Sequence, residues 1–163
     1  ANNLKQIGLA YKTWALGNGG VFPMQCQSET NISPSQMLEQ RISRYFLAVS
    51  NELSTPNILV CPADVRVAAK RFDAQFSSTN ISYFLGLDAH ESAPQSLLAG
   101  DRNLTNGLPL VNGILTMTTN FPTSWTHELH NRQGNIGLAD GSVQQFTTTR
   151  LQQIANTNRL LMP

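Results

Sequence analysis

The sequence predicts an α+β fold in which an N-terminal helix packs on an antiparallel β-sheet, with extra short helices between them. Two observations support this prediction. Apolar residues recur at helical spacing near the start of the chain, and the spacing changes to strand-like alternation after about residue 80. Helices that precede a run of strands, rather than alternating with them, are typical of the α+β class.

The first helix is predicted over Asn2–Leu16. Its apolar face contains four residues spaced three or four apart, which we expect to cover the sheet: Leu4, Ile7, Tyr11 and Trp14. The glycine-rich stretch 17–20 favours the left-handed backbone at which helices end. The apolar face opens almost at residue 1, as expected of a helix cut from a longer one. An ordinary core helix that begins here is the alternative.

A second helix is predicted from Ser33 to about Ser50. Ser33 stands at the N-cap position, a proline follows at the first helical position, and Gln36 completes a capping box. Two weaker predictions follow along the chain. Ile58–Val60 is expected to be a short extended run, and Ala63–Phe76 carries a less regular helical pattern.

Strands are predicted in the second half of the chain, where alternating apolar runs are bounded by Gly, Pro, Asn and Asp. These runs are Ile81–Leu85, Ser96–Ala99 and Gly113–Thr119. A hairpin is predicted over Asn135–Phe146, because Asp140-Gly141 suits a tight turn with positive φ at its central residues.

A short last helix is predicted to open with the capping-box pattern Thr149–Gln152. It would bury three apolar residues: Leu151, Ile154 and Ala155. The hairpin would then be followed by a helix, and no further strand is predicted after it.

The composition indicates one domain over residues 1–163 with an uncharged polar surface. A chain of 163 residues can bury a sizeable core without metals or disulfides. Only 13% of the residues are charged, so Asn, Gln, Ser and Thr must cover much of the surface. The net charge of +1 gives no electrostatic reason to expect a nucleic-acid partner. No run in these residues reaches the roughly 18 apolar residues that span a bilayer.

Cys26 and Cys61 are the two cysteines, and each lies in a loop that contains proline. In an oxidising compartment they can form a disulfide, which for a loop of this length contributes roughly 4 kcal/mol on the chain-entropy model. Two free thiols are the alternative. Their spacing matches neither a redox motif nor a zinc-binding pair.

The polar residues that merit attention as a site are His127, His130 and Asp140. The two histidines are three residues apart and can present two imidazoles to a metal, with Asp140 as a further ligand. Alternatively, His130 donates to Asp140 or to a backbone carbonyl, while Asp101 and Arg102 pair locally. No phosphate-binding loop and no nucleophile elbow occurs. The sequence therefore indicates neither an enzyme nor a cofactor.

His130 is followed by nine residues and then by Asp140-Gly141, and this pattern resembles the prepilin-type, processing-associated family. Six further segments resemble pieces of that family in order, so the resemblance covers nearly the whole chain: NNLKQIGLAYKTWA, VFP, CPAD, NISYFLGLDA, LLAGDRNL and GNIGLADGSV.

The resemblance implies a pilin-like fold of the type II secretion pseudopilin (protein G) kind. It implies a leader, a prepilin peptidase site and an apolar segment upstream of residue 1, with methylation of the mature N-terminus. The subunit would be exported and anchored in the inner membrane, and it would pack with other pseudopilin subunits into a filament. Calcium is not expected in the usual C-terminal loop, because no Asp or Glu follows Asp140.

The expected function is that of a non-catalytic structural subunit of a type II secretion or type IV pilus-like filament. A second hypothesis is a membrane-tethered binding module that recognises a glycan or protein through the loops of Asn103–Asn120 and Trp125. A third is a metal-dependent hydrolase that uses His127, His130 and Asp140.

Overall fold

The computed structural model describes residues 1–26, 42–154 and 158–163. The described residues contain four α-helical segments, three short 3-10 helices and eight strands. The helices are α1 (Asn2–Gly17), α2 (described over 42–48), α3 (Ser50–Leu53) and α4 (Thr148–Gln153). The strands are β1 (Tyr83–Gly86), β2 (Leu97–Asp101), β3 (Leu104–Thr105), β4 (Ile114–Met117), β5 (Ser124–Trp125), β6 (Gln133–Leu138), β7 (Val143–Thr147) and β8 (Asn158–Leu161). The predicted α+β class is confirmed.

Helix α1 confirms the first predicted element. Leu4, Ile7 and Tyr11 are buried, whereas Trp14 is half-buried at the edge of the same apolar cluster. The helix ends where the glycine-rich stretch predicted. Gly19 and Gly20 have positive φ, and the Gly20 N–H donates to the Ala15 carbonyl at 2.9 Å.

The main sheet has six strands in the order β4-β8-β1-β2-β6-β7, and every pairing is antiparallel. Strands β3 and β5 form a separate two-stranded ribbon. The last strand, β8, lies between β4 and β1, so the end of the described chain forms the interior of the sheet. This strand was not predicted, and its local sequence Asn158-Arg159-Leu160-Leu161 is too short to show an alternation.

Both faces of the sheet are covered, which explains why β1 is buried along its whole length. Leu85 and Leu98 point into the cluster under α1, whereas their neighbours Phe84 and Leu97 point into a second cluster with α4 and the β3–β5 ribbon. Helix α1 itself packs on β2 and β6. The turn that follows β6 also lies against α1, because a Cβ on Gly8 would be 3.5 Å from the Gly141 Cα.

Two of the weaker predictions were wrong. Ile58 and Leu59 belong to a 3-10 turn over Pro56–Leu59, not to an extended run. Residues 63–76 contain turns and bends instead of a helix, because the Arg66 guanidinium donates to the carbonyls of Ser78 and Ile81 and fixes this segment as a loop.

The two predicted capping boxes have different outcomes. The one at Ser33 and Gln36 lies outside the described residues. The last helix exists, but its cap is Thr147, whose hydroxyl accepts from the Arg150 N–H at 3.2 Å, two residues before the predicted Thr149. Ala155, which we expected to be buried by that helix, also lies outside the described residues.

The hairpin of β6 and β7 is confirmed, with a different turn from the one expected. Gly141 has φ +87°, whereas Asp140 does not have positive φ. The Leu138 N–H donates to the Ser142 carbonyl and the Gly141 N–H donates to the Leu138 carbonyl, both at 2.9 Å. The loop is therefore longer than a two-residue turn and contains one left-handed residue, Gly141. Among the described residues, no helix has the length and hydropathy required to cross a bilayer.

Candidate functional site

Three segments that are far apart in the sequence place Cys61, Asp101 and His130 side by side. The Cys61 Sγ lies 3.3 Å from the His130 Nε2, and the same nitrogen lies 3.4 Å from the Asp101 Oδ2. All three atoms lie within 4.8 Å of one another. Cys61 and Asp101 are buried, whereas the His130 side chain is 29% exposed. We call these three residues the Cys-Asp-His cluster.

Helix α1 and the sheet fix the positions of two members of the cluster, Asp101 and Cys61. Asp101 is the last residue of β2 and pairs with Tyr83 of β1. Its Oδ2 accepts from the Asn135 backbone N–H at 2.7 Å and from the Asn135 side-chain amide at 3.0 Å. Cys61 follows Val60, whose carbonyl accepts from the Asn3 amide of α1 at 3.0 Å. Helix α1 and the sheet thus hold two members at a fixed distance.

His130 reaches the cluster from an unusual loop. His130, Asn131 and Arg132 have φ of +49°, +50° and +63°, three consecutive non-glycine residues in the left-handed region. The buried Asn103 side-chain amide supports this loop by donating to the carbonyls of Leu129 and Gln133, at 2.8 and 3.3 Å. A left-handed run of this kind is energetically costly and is kept where the surroundings determine it.

The cluster does not have the geometry of a catalytic triad. In a triad the nucleophile and the orienting carboxylate contact opposite nitrogens of the imidazole, whereas here Cys61 and Asp101 both contact the His130 Nε2. Burial raises the pKa of the Cys61 thiol and also the pKa of the Asp101 carboxyl. A thiol held in its neutral form is a weak nucleophile. The arrangement instead directs three potential ligand atoms at one point.

An ion-pair network centred on Arg102, the residue after Asp101, adjoins the cluster. The Arg102 guanidinium donates to both oxygens of Asp64, at 2.7 and 3.0 Å, and to Glu128 at 2.8 Å. Burial alone would raise the pKa of Asp64, but the hydrogen bonds from Arg102 outweigh burial and lower this pKa to about 2. The expectation that Asp101 and Arg102 pair with each other was wrong, because Arg102 donates to Asp64 and Glu128, whereas Asp101 contacts Asn135 and His130.

The predicted metal candidates His127, His130 and Asp140 do not come together. His130 and Asp140 flank β6, whose six residues separate them by roughly 20 Å at about 3.3 Å per residue. His127 accepts a hydrogen bond at 2.6 Å from Arg132. The expected pairing of His130 with Asp140 is therefore wrong, and the His127, His130 and Asp140 hydrolase site is wrong with it.

Asp140 and Gly141 have a structural role at the far end of β6. The Asp140 Oδ1 accepts from the Ser142 N–H at 2.8 Å and so closes the hairpin turn. Lys12 of α1 donates to the Asp140 carbonyl at 3.1 Å. A Cβ on Gly8 would lie 3.5 Å from the Gly141 Cα, so the turn packs directly on α1. The first residue of the pattern, His130, thus lies in the Cys-Asp-His cluster, whereas its last residues, Asp140 and Gly141, contact helix α1.

The disulfide between Cys26 and Cys61 is not formed, and both cysteines are free. Cys61 is turned into the interior toward His130, whereas Cys26 is exposed after the 3-10 turn Pro23–Gln25. The alternative of two free thiols describes this structure.

The proposed binding loops also differ from the expectation. Trp125 is buried, and its indole ring covers Gly134 of β6, where an added Cβ would approach the ring to 2.3 Å. Asn103 is buried as well, with its amide used inside the protein. Neither side chain is available to a ligand.

Sequence reasoning missed Cys61 and Asp101 as partners of His130. The sequence did contain a signal for them. Cys61 in CPAD and Asp101 in GDRN are, like His130, chemically reactive residues in short polar motifs, and Asp101 ends an apolar strand. Comparisons with protein-family models, with curated proteins and with solved structures found no match to this chain.

Proposed function

We propose that this chain is the soluble domain of a pseudopilin-like protein, a non-catalytic structural subunit of a type II secretion or type IV pilus-like filament. One observation supports the proposal above all others. Helix α1 packs one side against the sheet and presents Leu9 and Leu16, which are 66% and 79% exposed, on its other side. Leu9 and Leu16 lie two turns apart on the same outer side of one helix, where they form an apolar surface that another protein can cover.

The outer side of α1 has a shape that suits a neighbouring helix. Leu9 and Thr13 of α1 line a groove together with Leu53 of α3 and Ile58. A side chain from a second helix can enter such a groove in the manner of ridges packing into grooves. Contacts between two different surfaces of identical subunits extend without limit when the rotation does not close, which produces a filament.

The buried side of α1 supports the same proposal, because it makes the helix a rigid part of the domain. The Tyr11 ring packs edge-to-face against Phe22 and Phe46, with centroids 6.2 and 6.0 Å away. Its hydroxyl donates to the Tyr45 carbonyl at 3.1 Å. A helix fixed in this way can carry load between subunits without separating from its sheet.

The proposal includes the cellular location and the partners that the resemblance implies. The domain would be exported and anchored at the inner membrane through an N-terminal apolar segment, and its partners would be other pseudopilin subunits. A nucleic-acid partner is not proposed, since the net charge is only +1.

The test is electron microscopy of the protein expressed from its complete gene in its native host. We expect filaments from the wild type, and loss of filaments from Leu9→Asp and Leu16→Asp, because a charge on a buried contact is costly. Val111→Asp is the matched control, since Val111 is 71% exposed and lies next to β4, at the sheet edge far from α1. Circular dichroism checks that all three variants fold. Filaments that persist in both α1 variants would contradict the proposal.

A membrane-tethered binding module is the second candidate, and one observation favours it. A cleft is lined by Leu108 and Leu110 together with Arg102 and Glu128, which combines apolar walls with charged groups. Under this hypothesis a monomer binds a glycan or protein saturably, and Leu110→Asp abolishes that binding whereas Leu9→Asp does not. The opposite pattern supports the filament.

A further inference from the structure

We propose that Cys61, Asp101 and His130 form a three-ligand site for a divalent cation of the zinc class, with a fourth position open to water or another donor. This inference is independent of the filament proposal and concerns a different part of the surface. It differs from the metal site that the sequence suggested, because it shares only His130 with it.

The distances between the ligand atoms agree with tetrahedral zinc. Bonds of about 2.0 to 2.3 Å at tetrahedral angles place neighbouring ligand atoms roughly 3.4 to 3.6 Å apart. Two of the three distances match: the sulfur lies 3.3 Å and the Asp101 oxygen 3.4 Å from the His130 Nε2. The sulfur and the Asp101 oxygen lie within 4.8 Å of each other. One ion can therefore bind all three atoms with only small movements of the side chains.

The chemistry of the ligands selects the class of metal. A thiolate and an imidazole favour Zn²⁺ or Co²⁺ over Ca²⁺ and Mg²⁺, which prefer oxygen ligands. On binding, the Cys61 thiol gives its proton to solvent and a sulfur–metal bond forms. One thiolate, one carboxylate and a neutral imidazole then balance the charge of the divalent ion.

Asp101 gives independent support, because it is a carboxylate with 1% exposure, and no Lys or Arg among the described residues forms an ion pair with it. Within the described parts of the chain, its side-chain partners are Asn135 and His130. Buried carboxylates are normally paired with a cation or bound to a metal. A divalent ion would place a positive charge in direct contact with this carboxylate.

The surroundings hold the ligands in place before any ion binds. Asn135 orients the Asp101 carboxylate with two hydrogen bonds, in the way that carboxylate ligands of metals are commonly oriented. The left-handed loop turns His130 inward and leaves its ring 29% exposed, so the open side of the site faces solvent. Three-ligand zinc sites with an open position exchange that position with water or substrate.

The test is a titration of reduced, EDTA-treated protein with CoCl₂ and with ZnCl₂. We expect one ion per chain, a thiolate-to-cobalt charge-transfer band, and a rise in melting temperature that excess EDTA reverses. Loss of a residue that only orients a metal ligand typically weakens binding roughly 10- to 100-fold. Cys61→Ser and His130→Asn each remove a ligand itself, so each should weaken binding by more than this. Asparagine tolerates the left-handed backbone at position 130, so this variant tests the ligand without breaking the loop.

Cys26→Ser and His127→Asn are the matched controls, since they remove a cysteine and a histidine outside the cluster. Both should keep the stoichiometry, the affinity and the cobalt band of the wild type. No stoichiometric binding, or binding that survives His130→Asn, would overturn the proposal. Loss of the band in Cys26→Ser would also overturn it, because the sulfur ligand would then be Cys26.

Discussion

Replacing Asp64 by asparagine removes one charge from the buried ion pair and keeps the size of the side chain. The Asp64 side chain is fully shielded from solvent, and Arg102 binds both of its oxygens. The pKa of Asp64 falls from 3.8 to about 2, which corresponds to about 2 kcal/mol of stabilisation at neutral pH. Asp64→Asn should therefore lower the free energy of unfolding by about 2 kcal/mol.

The dependence of this loss on pH follows from the direction of the shift. Because the pKa is lower in the folded state, the stabilisation is complete above the unfolded value of 3.8 and is lost as the pH falls through about 2. Urea denaturation in EDTA, repeated between pH 7 and pH 2.5, measures the difference between wild type and Asp64→Asn. That difference should shrink as the pH falls below about 4.

Glu128→Gln is the matched control, since Glu128 binds the same Arg102 but its side chain is 60% exposed. An exposed pair contributes about 0 to 1 kcal/mol, so this variant should stay close to wild type. Equal stability of Asp64→Asn and wild type at pH 7 would refute the reasoning. A difference that stayed constant down to pH 2.5 would show that the loss does not come from the charge.

Two further predictions concern packing and the cysteines. Gly134→Ala should lower the melting temperature at a cost of about 1 to 3 kcal/mol, because the added Cβ would lie 2.3 Å from the Trp125 ring. Gly17→Ala is the control and should not destabilise, because a Cβ at Gly17 would have no atom within 4 Å. Thermal denaturation compares the two, and equal melting temperatures would contradict the packing. In metal-free protein a thiol reagent should modify Cys26 quickly and Cys61 only after unfolding, since Cys26 is exposed and Cys61 buried. Mass spectrometry of peptides measures this, and early labelling of Cys61 would contradict its burial.

Elements with strong local signals were predictable from the sequence. Helix α1 and the β6–β7 hairpin each have a regular apolar spacing and a glycine at the place where the chain turns. The segment 63–76 was not predictable in this way, because Val65 and Val67 are exposed and Arg66 makes its contacts with distant carbonyls. Strand β8 was missed because its place in the sheet depends on partners, β1 and β4, that are far away in the sequence.

The candidate site could be predicted only in part. The sequence identified His130 but gave it the wrong partner, since the nine-residue spacing to Asp140 spans strand β6 and does not mark a contact. Its true partners, Cys61 and Asp101, are brought to it by the pairing of β1 with β2 and by a left-handed loop. Such contacts depend on the register of the sheet, so the sequence shows the separate polar motifs but does not show that they meet.

The most direct test of the proposed assembly through α1 is photo-crosslinking in native cells. A benzophenone amino acid is placed at position 9, on the exposed side of α1, and at position 111 as a control. Head-to-tail contacts predict a ladder of dimers, trimers and larger products from position 9, and no ladder from position 111. Products from position 9 that stop at the dimer, or no product at all, would contradict assembly into a filament through this helix.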